Sequence, residues 1–370
     1  MKGLILMIIL PAFLFFIFPG CTSALQIPMP QVPFGKGINI ANALEAPVEG
    51  EWGVVIQDWF FPEIASKGFE TVRIPVDWSY HIVEERGLTI DNTFLERVQH
   101  VVDLAIANDL SVILSFHGFD DFNNLPQENS GKFIQIWERL TTVFLNQYPE
   151  KLFFELFNEP HDKLTAEIWD QIQSEAVEAI RAIEKERWLI ITGAEWGNAE
   201  SLQGLSLPEN RSRILATFHM YEPYLFTHQG VPWLSEAYST TGILWPGPPP
   251  YPIEPSTQAS LYPEIVKWFY DYNYLPYNFN PAGPEPIVEK LVIASNWSKR
   301  TGVPLFMGEF GTYSQIDPLS RVNWTDYVRN LSEAMKITWI YWDFAGNFGL
   351  FDLDTLDWNA DLITALGQAK

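Results

Sequence analysis

Leu152-Phe153-Phe154-Glu155-Leu156-Phe157-Asn158-Glu159-Pro160 decides the reading of this chain. Its first six residues are apolar apart from Glu155, a run of strand length closed by a polar pair and a proline. Parallel strands buried on both faces read as such runs, which places Asn158 and Glu159 at the strand's C-terminal tip. Just downstream, 165–183 carries apolar residues at three- and four-residue spacing, the pattern of an amphipathic helix. The unit is therefore strand, polar tip, helix.

Outward from this stretch the unit repeats. Strands are predicted at 37–40, 71–75, 111–116, 152–157, 188–191, 213–218, 304–307 and 339–342. Helices are predicted between them, among others at 92–108, 132–147, 165–183, 286–299, 319–335 and 358–366. In the first of these, Leu95, Val98, Val101, Val102 and Ala105 form one apolar stripe. Strands alternating with helices imply a parallel sheet. Eight such units imply an α/β protein closed as a (β/α)8 TIM barrel, one catalytic-size domain over 30–370. An open doubly wound sheet would need a Gly-rich phosphate turn after its first strand, and the sequence has none there.

One segment departs from the pattern. Between the sixth strand and the next predicted helix, 239–286 is rich in proline and aromatic residues, including Trp245-Pro246-Gly247-Pro248-Pro249-Pro250-Tyr251-Pro252 and Trp268-Phe269-Tyr270-Asp271-Tyr272. A loop of this length is functional or disordered, and its aromatic content argues against disorder. It is expected to fold over one end of a cleft and add ligand contacts.

Charge and termini narrow the class. The 370 residues carry 23 Lys+Arg against 46 Asp+Glu, a net charge of −23. Such a chain repels nucleic acid and anionic lipid but not neutral polymers. Lys2 precedes an apolar run at 4–18, too short to span a bilayer and suited to an export signal. Residues 1–24 are thus expected to direct export. Cys21, the single cysteine, follows that run directly. It suggests lipid attachment and an outward-facing membrane-anchored protein, with cleavage after Ala24 and free secretion as the alternative.

Polar residues recur at or just after the predicted strand ends: Arg73, His117, Asn158 with Glu159, His219 with Tyr221, Glu309 and Trp342. Barrel active sites are assembled from those ends. Two glutamates on different strands suit glycoside cleavage, which needs one neutral carboxyl to protonate the leaving oxygen and one carboxylate to attack the anomeric carbon. Arg73 and the Tyr221 hydroxyl are placed to keep Glu309 charged. The charge on Glu309 would then favour the protonated form of Glu159.

These motifs resemble glycoside hydrolase family 5, the cellulase and mannanase family. The matching segments are Gly37-Ile38-Asn39-Ile40 with Asn42-Ala43-Leu44-Glu45-Ala46-Pro47, Val72-Arg73-Ile74-Pro75, Phe154-Glu155-Leu156-Phe157-Asn158-Glu159-Pro160, His219-Met220-Tyr221, Gly308-Glu309-Phe310-Gly311 and Tyr341-Trp342. The similarity spans 35–366 and is strongest to thermophilic bacterial endoglucanases, some of which also cut mannan. It implies a retaining endo-β-1,4-glycanase with Glu159 as acid/base and Glu309 as nucleophile. By the same resemblance Asn158 contacts the sugar 2-hydroxyl, and His117, His219, Tyr221 and Arg73 form the polar ring of the cleavage subsite. Trp342 becomes its aromatic floor, while Asn42, Glu45, His228 and Trp233 line neighbouring subsites. Gly118 departs from the family, which commonly has a second histidine there, and Glu222 and the 239–286 insertion depart as well.

Three alternatives stay open: an endo-β-mannanase on the same site, a metalloenzyme using His117, His219 and His228, and a non-catalytic sugar-binding barrel. The histidines lack the helical i, i+4 spacing of a zinc motif. A dead barrel would have lost one glutamate. No metal or cofactor is expected, the partner is a β-glucan or mannan, and the chain is read as a monomer.

Overall fold

The computed structural model describes residues 28–83, 88–119 and 121–368; the expected export signal at 1–24, with Cys21, lies outside them. Eight parallel strands close into a barrel: Gly37–Asn39, Thr71–Asp77, Ser111–Gly118, Leu152–Glu155, Trp188–Thr192, Ile214–His219, Leu305–Glu309 and Thr338–Tyr341. Order around the barrel follows the chain, and the first strand closes the ring by pairing with both the second and the eighth.

The barrel interior is layered by the two-residue period of its strands. Ile113, Phe153, Ile190, Leu215, Phe306 and Ile340 fill one level, and Phe34, from the segment before the first strand, plugs it from below. The Phe34 ring packs edge-on against Phe153 and Phe306, at 5.0 and 5.1 Å. Two residues further along these strands the inward positions turn polar: Ser115, Glu155, Thr192 and Thr217. The sequence thus grades the interior from an apolar plug to a polar floor beneath the active face.

Outside run α1 (Phe60–Ser66), α2 (Asn92–Ala107), α3 (Pro126–Val143), α4 (Ala166–Ile183), α5 (Tyr224–Thr227), α6 (Pro263–Tyr274), α7 (Glu285–Thr301), α8 (Pro318–Ala334) and α9 (Ala360–Ala365). On α2 the buried residues are the five of the predicted stripe, and Asp91 caps it by accepting from the Phe94 N–H at 2.9 Å. The fifth unit differs from expectation. Between the fifth and sixth strands there is only a 3-10 turn, Ala199–Gln203. That connection holds Gly193, Gly197, Gly204 and Pro208, which do not sustain an α-helix.

The insertion after the sixth strand is an ordered subdomain, and its α6 lies where the proline pattern concealed a helix. Trp245, Ala259, Ile265, Phe269 and Tyr272 of this segment are buried and continue the main hydrophobic core. Gln229 clamps Ile243 by two hydrogen bonds, donating to its carbonyl at 2.9 Å and accepting from its N–H at 2.8 Å. Trp245 ties the insertion to α8, where its backbone N–H donates to Ser320 Oγ (3.1 Å) and its ring packs on Tyr327 at 5.4 Å. The expectation that these aromatics serve ligand contacts is therefore corrected for Trp245, Phe269 and Tyr272, which are core. Tyr251, Tyr270 and Tyr274 are exposed. Among the described residues no helix is long and apolar enough to cross a membrane.

Candidate active site

Arg73, from the second strand, is the hub of the polar floor and is fully buried. Its Nε and Nη2 grip Glu155 at 2.8 and 2.5 Å. Nη1 reaches Asn39 Oδ1 (2.9 Å) and Glu309 Oε1 (2.7 Å), while Nη2 also reaches Asn158 Oδ1 (2.8 Å) and Ser115 Oγ (3.0 Å). Burial alone would weaken its charge, but the adjacent Glu155 and Glu309 hold the guanidinium protonated beyond its usual range.

Glu309 ends the seventh strand. The ladder skips a residue there, pairing Phe218 with Met307 and then His219 with Glu309. This irregularity turns Glu309 inward. It also requires Gly308, because a Cβ at that position would stand 2.5 Å from Thr217 Oγ1 and 3.2 Å from His219 Nε2. Glu309 Oε2 accepts from the Tyr221 hydroxyl at 2.7 Å. Both charge-stabilising contacts expected from sequence are thus in place, yet their net effect is smaller than expected. Burial pushes the Glu309 carboxyl above the ordinary range and the charge of Glu159 adds to it; His219, Arg73 and Tyr221 pull it down without cancelling that rise.

Glu159 stands beyond the fourth strand in a left-handed backbone conformation, φ 47°. Its Oε1 is 2.6 Å from His219 Nδ1, and its backbone carbonyl is 2.6 Å from His161 Nδ1. Burial would lower the pKa of His219, but the charge of Glu309 and the bond to Glu159 raise it. One oxygen from Glu159, one from Glu309 and a ring nitrogen of His219 all lie within 4.8 Å of one another. These three are also the set of described residues that could offer a metal three ligand atoms, although each already has a hydrogen-bond partner in the site.

His117 and Trp342 stack face to face, 5.6 Å apart and tilted by 10°. Asn158 Nδ2 lies 3.5 Å from His117 Nε2. Burial, with the charges of Arg73 and His219, depresses the His117 pKa well below the usual value, so the ring is neutral. Gly118 leaves no room for a side chain: a Cβ would stand 2.3 Å from Asp77 Oδ2.

The residues assigned to neighbouring subsites divide. Trp233 is exposed and rests edge-on against Tyr313 at 5.9 Å, free to present a ring. His228 is buried, stacked on Tyr224 (3.9 Å) and hydrogen-bonded to Thr227 Oγ1 (2.9 Å), and burial lowers its pKa to about 3. Glu45, expected to line a subsite, is instead buried, and its two oxygens accept from the backbone N–H groups of Asn42 and Ala43. Asn42, at φ 62°, passes the connection to Asp343, donating at 3.2 Å to Oδ2. Burial raises both Glu45 and Asp343 to about 7. Glu45 thus shapes the loop that carries Asn42.

Sequence reasoning passed over three contributors. Glu155 holds an inward position of a buried strand, where a charged residue signals a partner. Asn39 ties the first strand to the site, donating to the Gly308 and Tyr341 carbonyls at 3.1 Å each. Trp196, half exposed, stacks on His161 at 5.0 Å, and Glu195, Trp196 and Gly197 are all left-handed, at φ 58°, 57° and 60°. Consecutive left-handed residues outside glycine are costly and cluster at functional sites.

Known proteins resemble this chain in sequence and in fold. Residues 35–348 match the model of the cellulase family, glycosyl hydrolase family 5. Endoglucanase H of Acetivibrio thermocellus is 29% identical over 330 residues, covering 89% of this chain and 31% of its own; the chain thus spans about a third of that relative's length. A hyperthermophilic endo-β-1,4-glucanase solved with substrate is 38% identical at a TM-score of 0.78, over 90% of this chain and 97% of its own. Cel5A of Thermotoga maritima, solved with mannotriose, is 35% identical at a TM-score of 0.78 over the same shares. With its barrel, its paired glutamates and this match across most of its length, the chain belongs to glycosyl hydrolase family 5.

Proposed function

We propose that this protein is a retaining endo-β-1,4-glucanase, with Glu309 as nucleophile and Glu159 as acid/base. The observation that carries the reading is the spacing of oxygens from the two carboxyls, within 4.8 Å. Retaining glycosidases hold the pair about 5–5.5 Å apart, whereas inverting ones need about 6.5–9.5 Å to admit a water. In the first step Glu309 attacks the anomeric carbon and the glycosidic C–O bond breaks. The departing oxygen takes a proton held in the Glu159–His219 hydrogen bond. In the second step Glu159 accepts a proton from water, whose oxygen displaces Glu309 and restores the carboxylate. Arg73 and Tyr221 hold Glu309 in its attacking orientation, and neutral His117 offers a hydrogen bond to a sugar hydroxyl beside the Trp342 ring.

The test uses an aryl β-cellobioside with an activated phenol. Glu309→Ala should abolish phenol release. Glu159→Ala should release one equivalent and then stall, with azide restoring turnover and giving a β-glycosyl azide. Cellulose derivatives, mixed-linkage glucan and glucomannan, analysed for product size, would define the polymer. An α-anomer formed first in the wild-type reaction would refute the assignment of Glu309. Export, with lipid attachment at Cys21, remains part of this reading and is supported by the apolar run at 4–18 that ends just before that cysteine.

A further inference from the structure

Arg73 contacts two carboxylates, and the mechanism uses only one of them. Glu155 takes the Nε–Nη2 edge of the guanidinium in a bidentate grip at 2.8 and 2.5 Å, is 1% exposed, and accepts a further bond from Ser115 Oγ at 2.9 Å. Glu309 takes Nη1 at 2.7 Å. The planar fork leaves Arg73 one orientation in which all its donors are used. We propose that Glu155 is a positioning residue for the nucleophile: it aims Nη1 of Arg73 at Glu309 and, as a counter-charge behind the guanidinium, limits how strongly Arg73 stabilises the Glu309 carboxylate. The proposal rests on the reading of Glu309 as nucleophile.

The physical argument follows from a shared cation. An opposite charge in contact lowers a carboxyl pKa by about 1–3 units. Glu155 is the partner that offsets the Arg73 charge from the side away from Glu309. The other groups facing Glu309 are Glu159 from beyond the fourth strand, His219 and Tyr221 from the sixth, Tyr224 from α5 and Asp343 after the eighth; His117 faces Arg73 and His219. None of these contacts Arg73 from the Glu155 edge. Without Glu155 the whole Arg73 charge acts on Glu309, which then loses its proton at lower pH and attacks as a weaker base.

The experiment measures kcat/KM against pH for an activated aryl β-cellobioside, a leaving group that needs no protonation, so that the acid limb reports the ionisation of the nucleophile cluster. Glu155→Gln should move that limb down by roughly one pH unit or more and lower the plateau. Glu155→Asp, which keeps the charge but shortens the reach, should leave the limb at its wild-type position while lowering the plateau. A plateau loss in Glu155→Gln with the limb unmoved would make Glu155 merely structural and overturn the proposal, as would equal shifts in the Gln and Asp variants. Should Glu155→Gln fail to fold, Glu155→Asp decides: it keeps the counter-charge, so an unmoved limb with a lowered plateau supports the proposal, and a limb displaced by about one pH unit or an unchanged plateau overturns it. Absence of phenol release by the wild type would instead refute the functional reading itself.

Discussion

Tyr221→Phe tests the electrostatic account of the nucleophile in the opposite direction. The substitution deletes one atom, the hydroxyl that donates to Glu309 Oε2 at 2.7 Å. No other described donor is close enough to replace it, since His219 Nδ1 is 3.6 Å from that oxygen. A hydrogen bond to a charged group contributes about 1.5–3 kcal/mol. At 1.36 kcal/mol per pH unit, its loss should raise the Glu309 pKa by about 1–2 units. The sign follows from the species stabilised: the hydroxyl bonds the carboxylate, so without it the protonated form persists to higher pH. The acid limb of kcat/KM on the aryl β-cellobioside should therefore move up by about 1–2 units, with the melting temperature nearly unchanged. A limb that stays in place, or moves down, would show that the Tyr221 hydroxyl does not stabilise the Glu309 carboxylate.

Further outcomes concern stability, the insertion and location. Burial raises Glu45 and Asp343 to about 7, so the folded state binds protons that the unfolded chain has already released. Stability from these two groups is full below their ordinary carboxylate range and declines as pH rises towards 7. Asp343→Asn, neutral throughout, should flatten that decline in melting temperature measured between pH 4.5 and 7.5 (roughly the window between the two states' pKa values); an unchanged slope would refute it. In the insertion, Trp245→Ala should cost about 3–5 kcal/mol by urea unfolding, whereas Tyr270→Ala, on an exposed face, should cost less than about 0.5 kcal/mol. Equal losses would contradict the division into core and surface aromatics. Fatty-acid-analogue labelling of cells should tag the wild type and not Cys21→Ser; equal labelling would refute lipid attachment.

Periodicity sufficed for the barrel because two-residue and 3.6-residue repeats are local. The eight strand runs and the α2 stripe of Leu95, Val98, Val101, Val102 and Ala105 could be read from neighbours in the chain alone. The polar tips were legible for the same reason: a glutamate closing an apolar run, as Glu159 and Glu309 do, stands out against its own segment. Where local chemistry misled, the cause was composition. Prolines flanking 263–274 concealed α6, and aromatic residues resembled ligand platforms although Trp245, Phe269 and Tyr272 pack inward.

What the sequence by itself determined was the set of chemical groups and the strand each would cap. Which atoms meet was decided by closure of the barrel. That closure brings Asn39, Arg73, Ser115, Glu155 and Glu309, from five different strands, around one guanidinium. The Phe218–His219 ladder shift that turns Glu309 inward, and the space that only Gly308 permits, depend on the neighbouring strand's position. So does the buried role of Glu45, whose motif looks like that of a ligand-facing residue until its oxygens are found on its own loop. Hydrogen bonds and desolvation act over a few ångströms between residues far apart in the chain, so their balance at Glu309 exists only once the fold has brought those residues together.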